Sequence, residues 1–285
     1  MADRVEIFEV GPRDGLQNEK RQIPAAEKIA LIDTLSVAGF ARIEVASFVS
    51  PKWVPQMADS AEVLAGIRRA PGVRYAALTP NLRGLEGALA AKADEVAIFG
   101  AASEGFSKAN INATIAESLE RFAPVLEAAR AAGLPVRGYV SCVTDCPYDG
   151  PVAPGDVARV AARLFEMGCY EISLGDTIGQ GTPETIDAML AAVCDVVPVS
   201  ALAGHYHDTG GRALDNIEVS LARGLRVFDA AVGGLGGCPY APGASGNVAT
   251  EAVHDHVQAM GYETGLDREV LARAAQMARE MRGGA

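Results

Sequence analysis

The sequence predicts an α/β protein, a (β/α)8 TIM-type barrel with an extra C-terminal helical segment. Three observations support this. Short apolar, β-branched segments recur about every 30 residues, amphipathic stretches separate them, and the 285-residue length is close to the roughly 250 residues of such a barrel. An open doubly wound sheet is the alternative, but it normally carries a Gly-rich phosphate turn after its first strand, and residues 11–15 (GPRDG) do not match one. We predict a single domain over residues 1–285.

The predicted strands are apolar runs of strand length that end near turn-forming residues. In order they cover residues 5–10, 42–46, 75–78, 95–100, 136–140, 171–175, 202–207 and 227–231.

The predicted helices are amphipathic stretches with recognisable ends. In the first, Ile29, Ile32 and Leu35 share one face, and Gly39 follows as a stop signal. The helices cover residues 28–38, 115–132, 157–167, 183–196, 213–223 and 267–281.

Composition excludes several classes of protein. The net charge of −11 disfavours nucleic acid and anionic membranes as partners. No apolar run reaches the ~18 residues of a membrane span, and no secretory signal or presequence is recognisable, so we expect a cytoplasmic protein. Five cysteines, an odd number, fit a reducing compartment better than a disulfide framework. Cys142 and Cys146 lack the neighbouring ligands that a structural zinc site needs.

Two of the four histidines stand together at the end of the seventh predicted strand. Because side chains alternate along a strand, His205 and His207 should project to the same face. Two imidazoles on one face form half of a metal site. The alternative is a pair of barrel-lining histidines held by hydrogen bonds.

Other charged residues also fall at the C-terminal ends of predicted strands, where a (β/α)8 barrel carries its active site. Arg13 and Asp14 follow the first strand, Glu44 lies on the second and Asp176 follows the sixth. Asp14 could bind a cation and Arg13 could hold developing negative charge, or Asp14 could cap a turn while Arg13 is solvated. Glu44 needs a partner or a proton, and a structural ion pair is the alternative to a functional role.

The segment after the eighth strand, GGLGGCPYAPGASGN at 233–247, is rich in glycine. Such a segment is typical of a mobile flap or of a backbone cradle for a ligand. Cys238 lies within it and could act as a proton donor or nucleophile, although most cysteines are buried and inert.

Several motifs together resemble the 3-hydroxy-3-methylglutaryl-CoA lyases. They are VGPRDGLQNE at 10–19, SFVSPKWVPQM at 47–57, GYVSC at 138–142, GCYEISLGDTIG at 168–179 and GGLGGCPYAPGASGNVATE at 233–251. The resemblance covers about residues 5 to 270 and implies a metal-dependent barrel lyase of bacterial type. It implies an acyl-CoA substrate that is cleaved to acetyl-CoA and acetoacetate, and it suggests a homodimer.

The resemblance also implies roles for single residues. Cys238 and Arg13 would be catalytic, with Arg13 also binding substrate, and Glu44 and Asp176 would support them. The substrate hydroxyl proton could pass to Glu44, to Asp176 or to His205. The implied ligands of a divalent cation, Mg²⁺ or Mn²⁺, are Asp14, His205, His207 and Asn247.

Three alternatives remain open from the sequence. A lyase of the same type could act on a longer, prenylated 3-hydroxyglutaryl-CoA, which differs only in the pocket that it needs. An acyl-CoA condensing enzyme could run the reverse bond formation. A metal-binding or interaction protein without activity could also use this barrel.

Overall fold

The computed structural model describes residues 3–236 and 246–283 and shows a closed barrel. Eight parallel strands close in the order β1-β8-β7-β6-β5-β4-β3-β2, with β2 returning to β1. The predicted fold class is confirmed. The barrel strands are β1 (Glu6–Glu9), β2 (Arg42–Ser47), β3 (Arg74–Leu78), β4 (Glu95–Ala101), β5 (Val136–Ser141), β6 (Glu171–Asp176), β7 (Leu202–Tyr206) and β8 (Val227–Ala230).

Helices follow the strands and cover the outside of the barrel. They are α1 (Ala25–Leu35), α2 (Ser60–Gly66), α3 (Leu82–Ala90), α4 (Glu104–Ile111), α5 (Ile115–Ala131), α6 (Pro154–Glu166), α7 (Pro183–Cys194), α8 (Ala213–Ala222), α9 (Thr250–Ala259) and α10 (Arg268–Met281). Six of these correspond to predicted helices. The prediction missed α2, α3, α4 and α9, which have seven to ten residues each and too few turns for a clear periodic pattern.

The strands divide their side chains between two environments. On β5, a Cβ atom at Gly138 would lie 3.4 Å from Leu164 of α6, so this face packs against helices. The neighbouring Arg137 instead reaches across the barrel and makes two hydrogen bonds to Asp229 of β8, at 2.9 and 2.7 Å. The main apolar core therefore lies between strands and helices. The barrel interior instead holds paired charges, such as Arg137 with Glu171 and Asp229.

The C-terminal helix supports the end of the barrel that carries the predicted site. Helix α10 packs against α1 and against the turn at Val232–Gly234, which follows β8. Arg282, just after α10, donates hydrogen bonds to the carbonyl oxygens of Gly233 and Gly234. The first residues of the Gly-rich segment are thereby fixed to the barrel.

Within the two described ranges, none of the helices combines the length and the apolar character that crossing a membrane would require.

Candidate active site

The loop after β1 is a single turn of π-helix at Gly11–Gly15. The Val10 carbonyl accepts hydrogen bonds from the amides of Arg13 (3.1 Å) and Asp14 (2.7 Å), which fixes both residues at the mouth of the barrel. A Cβ atom at Gly15 would lie 2.6 Å from the Cβ atom of Leu235, so only glycine permits this approach of the loop to the Gly-rich segment. Single π-helical turns of this kind are frequent at functional sites.

Glu9 connects this loop to the other end of the chain. Its Oε1 atom accepts hydrogen bonds from the amides of Gly11 (2.8 Å) and Val232 (2.9 Å), and its Oε2 atom accepts one from the Thr250 hydroxyl (2.6 Å). Burial raises the pKa of Glu9 to about 7. Glu9 is not among the site residues predicted from the sequence, although a carboxylate at the end of an apolar strand was a visible signal.

Three of the four predicted metal ligands form a compact group. One ligand atom from each of Asp14, His205 and His207 lies within 4.8 Å of the other two. These three residues are called the metal group below. The fourth, Asn247, joins them because its Nδ2 atom donates a hydrogen bond to Oδ2 of Asp14 at 2.9 Å. The backbones of His207 and Asn247 also form an isolated antiparallel bridge.

His205 is oriented by Asp229, which was not among the site residues predicted from the sequence. The Nδ1 atom of His205 lies 3.1 Å from Oδ2 of Asp229, and its Nε2 atom lies 3.9 Å from Oδ2 of Asp14. Burial alone would lower the pKa of His205, but the hydrogen bond to Asp229 and the charges of Asp229 and Asp14 raise it. Asp229 is itself held by Arg137 and by the Ser173 hydroxyl at 2.7 Å. The arrangement leaves Nε2 of His205 facing the metal group.

His207 fits a cation in a different way. Burial and the neighbouring His205 lower its pKa to about 4, so its ring is neutral at physiological pH. Its Nδ1 atom is buried and has no hydrogen-bond partner among the described residues. A buried polar atom without a partner is unusual in a folded protein. Imidazole nitrogens, a carboxylate and an amide suit a divalent cation.

Arg13 and Glu44 form the buried ion pair that the sequence left open as an alternative. The Nε atom of Arg13 donates to Oε2 of Glu44 at 2.6 Å, and its Nη1 atom donates to Oδ1 of Asp14 at 2.7 Å. Burial raises the pKa of Glu44, and Arg13 partly offsets that effect. Glu44 Oε1 has no hydrogen-bond partner in the described part of the chain. Glu44 therefore holds the Arg13 guanidinium beside the metal group and keeps one oxygen unpaired.

Asp176 is buried at the C-terminal end of β6, and its hydrogen bonds are made to the segments that follow β5 and β6. It accepts them from the Thr144 hydroxyl (3.1 Å) and from the amides of Gln180 (3.2 Å) and Gly181 (2.9 Å). Burial raises its pKa, and these bonds partly offset the effect. Asp176 thus orders the loop after β6, and the hydrogen bonds described for it do not join it to Arg13, Asp14 or the histidines.

Cys238, the predicted acid of the Gly-rich segment, lies outside the described residues. Gly236, the last residue described before this part of the chain, and Asn247, just after it, both lie at the site. Gly236 has a φ of +89°, and a Cβ atom there would lie 3.0 Å from Gly15 and 3.1 Å from Nδ2 of Asn247.

The fold and the site together define an enzyme class: a (β/α)8 barrel with a group suited to a divalent cation and a fixed arginine at its C-terminal mouth. The HMGL-like family model matches residues 4–278, and the chain belongs to this family, as the sequence motifs predicted.

Named relatives agree with this family. Mitochondrial hydroxymethylglutaryl-CoA lyase of Gallus gallus is 61% identical over 268 residues, which are 94% of this chain and 90% of the relative. The 3-hydroxy-3-isohexenylglutaryl-CoA/hydroxy-methylglutaryl-CoA lyase of Pseudomonas aeruginosa is 60% identical over 273 residues, 96% of this chain and 91% of the relative. The crystal structure of the HMG-CoA lyase from Brucella melitensis is 65% identical with a TM-score of 0.98, covering 99% of this chain and 100% of that one.

Proposed function

We propose that this protein is a divalent-metal-dependent lyase that cleaves 3-hydroxy-3-methylglutaryl-CoA to acetyl-CoA and acetoacetate. The observation that carries the proposal is the convergence of Asp14, His205 and His207 beside the Arg13 guanidinium that Glu44 holds. Relatives named for this reaction, at about three-fifths identity over nearly the whole chain, support it.

The reaction sets three requirements. A proton must leave the C3 hydroxyl as it becomes a ketone, the electrons of the broken C2–C3 bond must be stabilised as a thioester enolate, and the enolate carbon must be reprotonated. A bound Mg²⁺ or Mn²⁺ supplies acidity to the substrate hydroxyl and fixes its orientation. The residues that would hold the ion are Asp14, His205, His207 and Asn247.

Arg13 stabilises the enolate oxygen in this proposal. Glu44 and Asp14 raise its pKa against the effect of burial, so the guanidinium stays charged. Because both carboxylates are within hydrogen-bond distance of it, the guanidinium is already oriented before substrate binds. A preorganised donor at the position of developing charge is an effective form of catalysis.

Proton transfer involves two further sets of residues. Cys238 reprotonates the enolate carbon, in keeping with the motif around it. The hydroxyl proton has Glu44, His205 and Asp176 as candidate acceptors. The unpaired oxygen of Glu44 and the position of His205 favour these two, because the hydrogen bonds of Asp176 serve its own loop.

The substrate is thus a small-molecule acyl-CoA. We further propose a cytoplasmic location and a homodimer, without nucleic-acid or membrane partners. The odd number of cysteines, five, supports a reducing compartment. Light scattering of the purified protein tests the dimer directly.

Release of acetoacetate and acetyl-CoA from 3-hydroxy-3-methylglutaryl-CoA tests the function. We expect turnover with Mg²⁺ or Mn²⁺, loss of turnover with EDTA and recovery when the metal is restored. His205→Ala should lose both metal binding and activity. His256→Ala changes a histidine on α9 whose Nε2 atom lies 2.9 Å from Oε1 of Glu218, and it should keep both. Turnover that survives thorough chelation would contradict the proposal.

The Pseudomonas aeruginosa relative carries two substrates in its name, so chain length needs its own assay. Rates on 3-hydroxy-3-methylglutaryl-CoA and on its isohexenyl analogue separate the two lyase activities. A large preference for the longer chain would replace our substrate assignment. Thiol release that requires acetyl-CoA and a keto acid would indicate a condensing enzyme instead.

A further inference from the structure

Tyr139 of β5 projects into the barrel between two arginines. Its ring centroid lies 5.6 Å from the Arg13 guanidinium carbon and 5.0 Å from that of Arg137. The ring also meets His205 edge-on, with centroids 6.2 Å apart and an interplanar angle of 83°. Contacts with two cations and a metal-group histidine fix the ring beside the groups proposed for catalysis.

The polar end of this side chain has no described partner. Tyr139 is 8% exposed, and its hydroxyl oxygen is buried without a hydrogen bond to any residue in 3–236 or 246–283. Buried hydroxyls are nearly always satisfied, because an unpaired one loses its hydration without compensation. Glu44 Oε1 is a second unpaired oxygen in this region, and the two oxygens do not bond to each other.

We propose that the Tyr139 hydroxyl contacts substrate, donating a hydrogen bond to an oxygen of the hydroxy-dicarboxylic acyl chain of the bound thioester. Its ring contact with His205 and its position beside Arg13 place it next to the reacting part of that chain. The inference rests on the proposed function and gives a role to Tyr139, which lies in the GYVSC motif at 138–142 but had no role assigned from it.

The protonation state of Tyr139 is consistent with a donor role. Burial and the nearby Glu44 carboxylate raise its pKa well above the ordinary value, against the opposing effect of Arg137. The phenol therefore keeps its proton at neutral pH. A neutral donor beside a guanidinium can orient an anionic or carbonyl oxygen without adding a second buried charge.

A buried water that pairs with the hydroxyl is the competing explanation, and it predicts a purely structural role. The two explanations predict different stabilities for the substrate-free protein when the hydroxyl is removed. Removing a hydroxyl that only substrate satisfies leaves the free protein as stable as before or more so, whereas removing one that a water satisfies destabilises it.

Tyr139→Phe tests the proposal, with Tyr206→Phe as the matched control. Tyr206, at the end of β7, is likewise a buried tyrosine, but its hydroxyl lies 2.8 Å from the Ser220 hydroxyl. Three quantities are measured for each Mn²⁺-loaded variant: kcat/KM, the affinity for free 3-hydroxy-3-methylglutarate and the Kd for Mn²⁺. The Tm is measured without ligand.

For Tyr139→Phe we expect kcat/KM and acid affinity to fall roughly ten- to a hundredfold, the loss typical of a hydrogen bond to a charged group. Its Tm should not fall, and its Mn²⁺ affinity should stay within about twofold of wild type. Tyr206→Phe should show the reverse, a lower Tm with kcat/KM nearly unchanged.

Unchanged kcat/KM and acid affinity in Tyr139→Phe would overturn the inference, and so would a lower Tm with unchanged acid affinity. If the wild-type protein binds the acid but lacks lyase activity, the proposed function fails, and the binding comparison alone still decides the role of Tyr139.

Discussion

The Nδ1 atom of His205 lies 3.1 Å from Oδ2 of Asp229, which is its register partner on the neighbouring strand β8. Asp229 is 2% exposed, and Arg137 bonds both of its oxygens. A carboxylate behind a metal-binding histidine selects the ring tautomer and increases the basicity of the ligating nitrogen. Asp229 therefore fixes the orientation of His205 beside Asp14 and His207.

Asp229→Asn should weaken Mn²⁺ binding about 10- to 100-fold, because the amide no longer fixes the ring of His205. Titration calorimetry measures the Kd. Glu171→Gln is the matched control, since Glu171 is the other carboxylate bonded to Arg137. Both variants should lose stability, but only Asp229→Asn should lose metal affinity. Equal Kd values in the two variants would contradict the orienting role.

Arg13→Lys should lower kcat about 100- to 1000-fold, because the ammonium group cannot reproduce the two-sided contact with Glu44 and Asp14 beside the developing charge. Steady-state kinetics with saturating Mg²⁺ measure the effect. Arg21→Lys changes an exposed arginine paired with Glu27 and should leave kcat unchanged. A kcat within about threefold of wild type in Arg13→Lys would remove Arg13 from the mechanism.

Cys238→Ser should lose most turnover while it keeps its metal, because serine is a much weaker acid than a thiol and no proposed ligand is changed. Metal content and acetoacetate release are measured on the same preparation. Cys194→Ser, at the C-terminal end of α7 and partly exposed, serves as the control and should retain turnover. Near-normal activity in the Cys238 variant would show that another group protonates the enolate carbon.

Glu9→Gln should change the pH dependence of stability. Burial raises the folded-state pKa of Glu9 to about 7, above its ordinary 4.5, so its stabilising contribution is present at low pH and is lost as the pH rises through 7. Between pH 5 and 8 this loss amounts to roughly 2–3 kcal/mol, and the glutamine variant lacks it. Urea denaturation of both proteins at the two pH values measures the difference. Parallel pH profiles would show that Glu9 is not the titrating group.

The strands of this fold were predictable because each is a short apolar run with little internal ambiguity. The helix Glu104–Ile111 was not, because its eight residues include Lys108 and Asn110 and give no clear apolar stripe. Its start depends on the Ser103 side chain, which accepts a hydrogen bond from the Phe106 amide, and a single serine gives too weak a signal to place a helix.

Some residues of the candidate site were also predictable from the sequence, and others were not. Asp14 and the two histidines were found because polar residues at strand ends stand out in sequence. Asp229 and Tyr139 were not, because each lies inside an apolar strand. The register between β7 and β8 places Asp229 beside His205, Tyr139 approaches from β5, and the sequence alone does not give these alignments. The isolated carboxylate in Val227–Ala230 was a signal comparable to Glu44 and could have been read in the same way.

The hydrogen bond between Asn247 and Asp14 spans 233 positions of the chain. During synthesis, Asp14 leaves the ribosome long before Asn247 does. The nascent chain therefore lacks one of the four proposed metal ligands until translation is almost finished. Binding of an ion by all four proposed ligands is therefore expected only after Asn247 has been synthesised, and a fragment that ends before residue 247 lacks one of them.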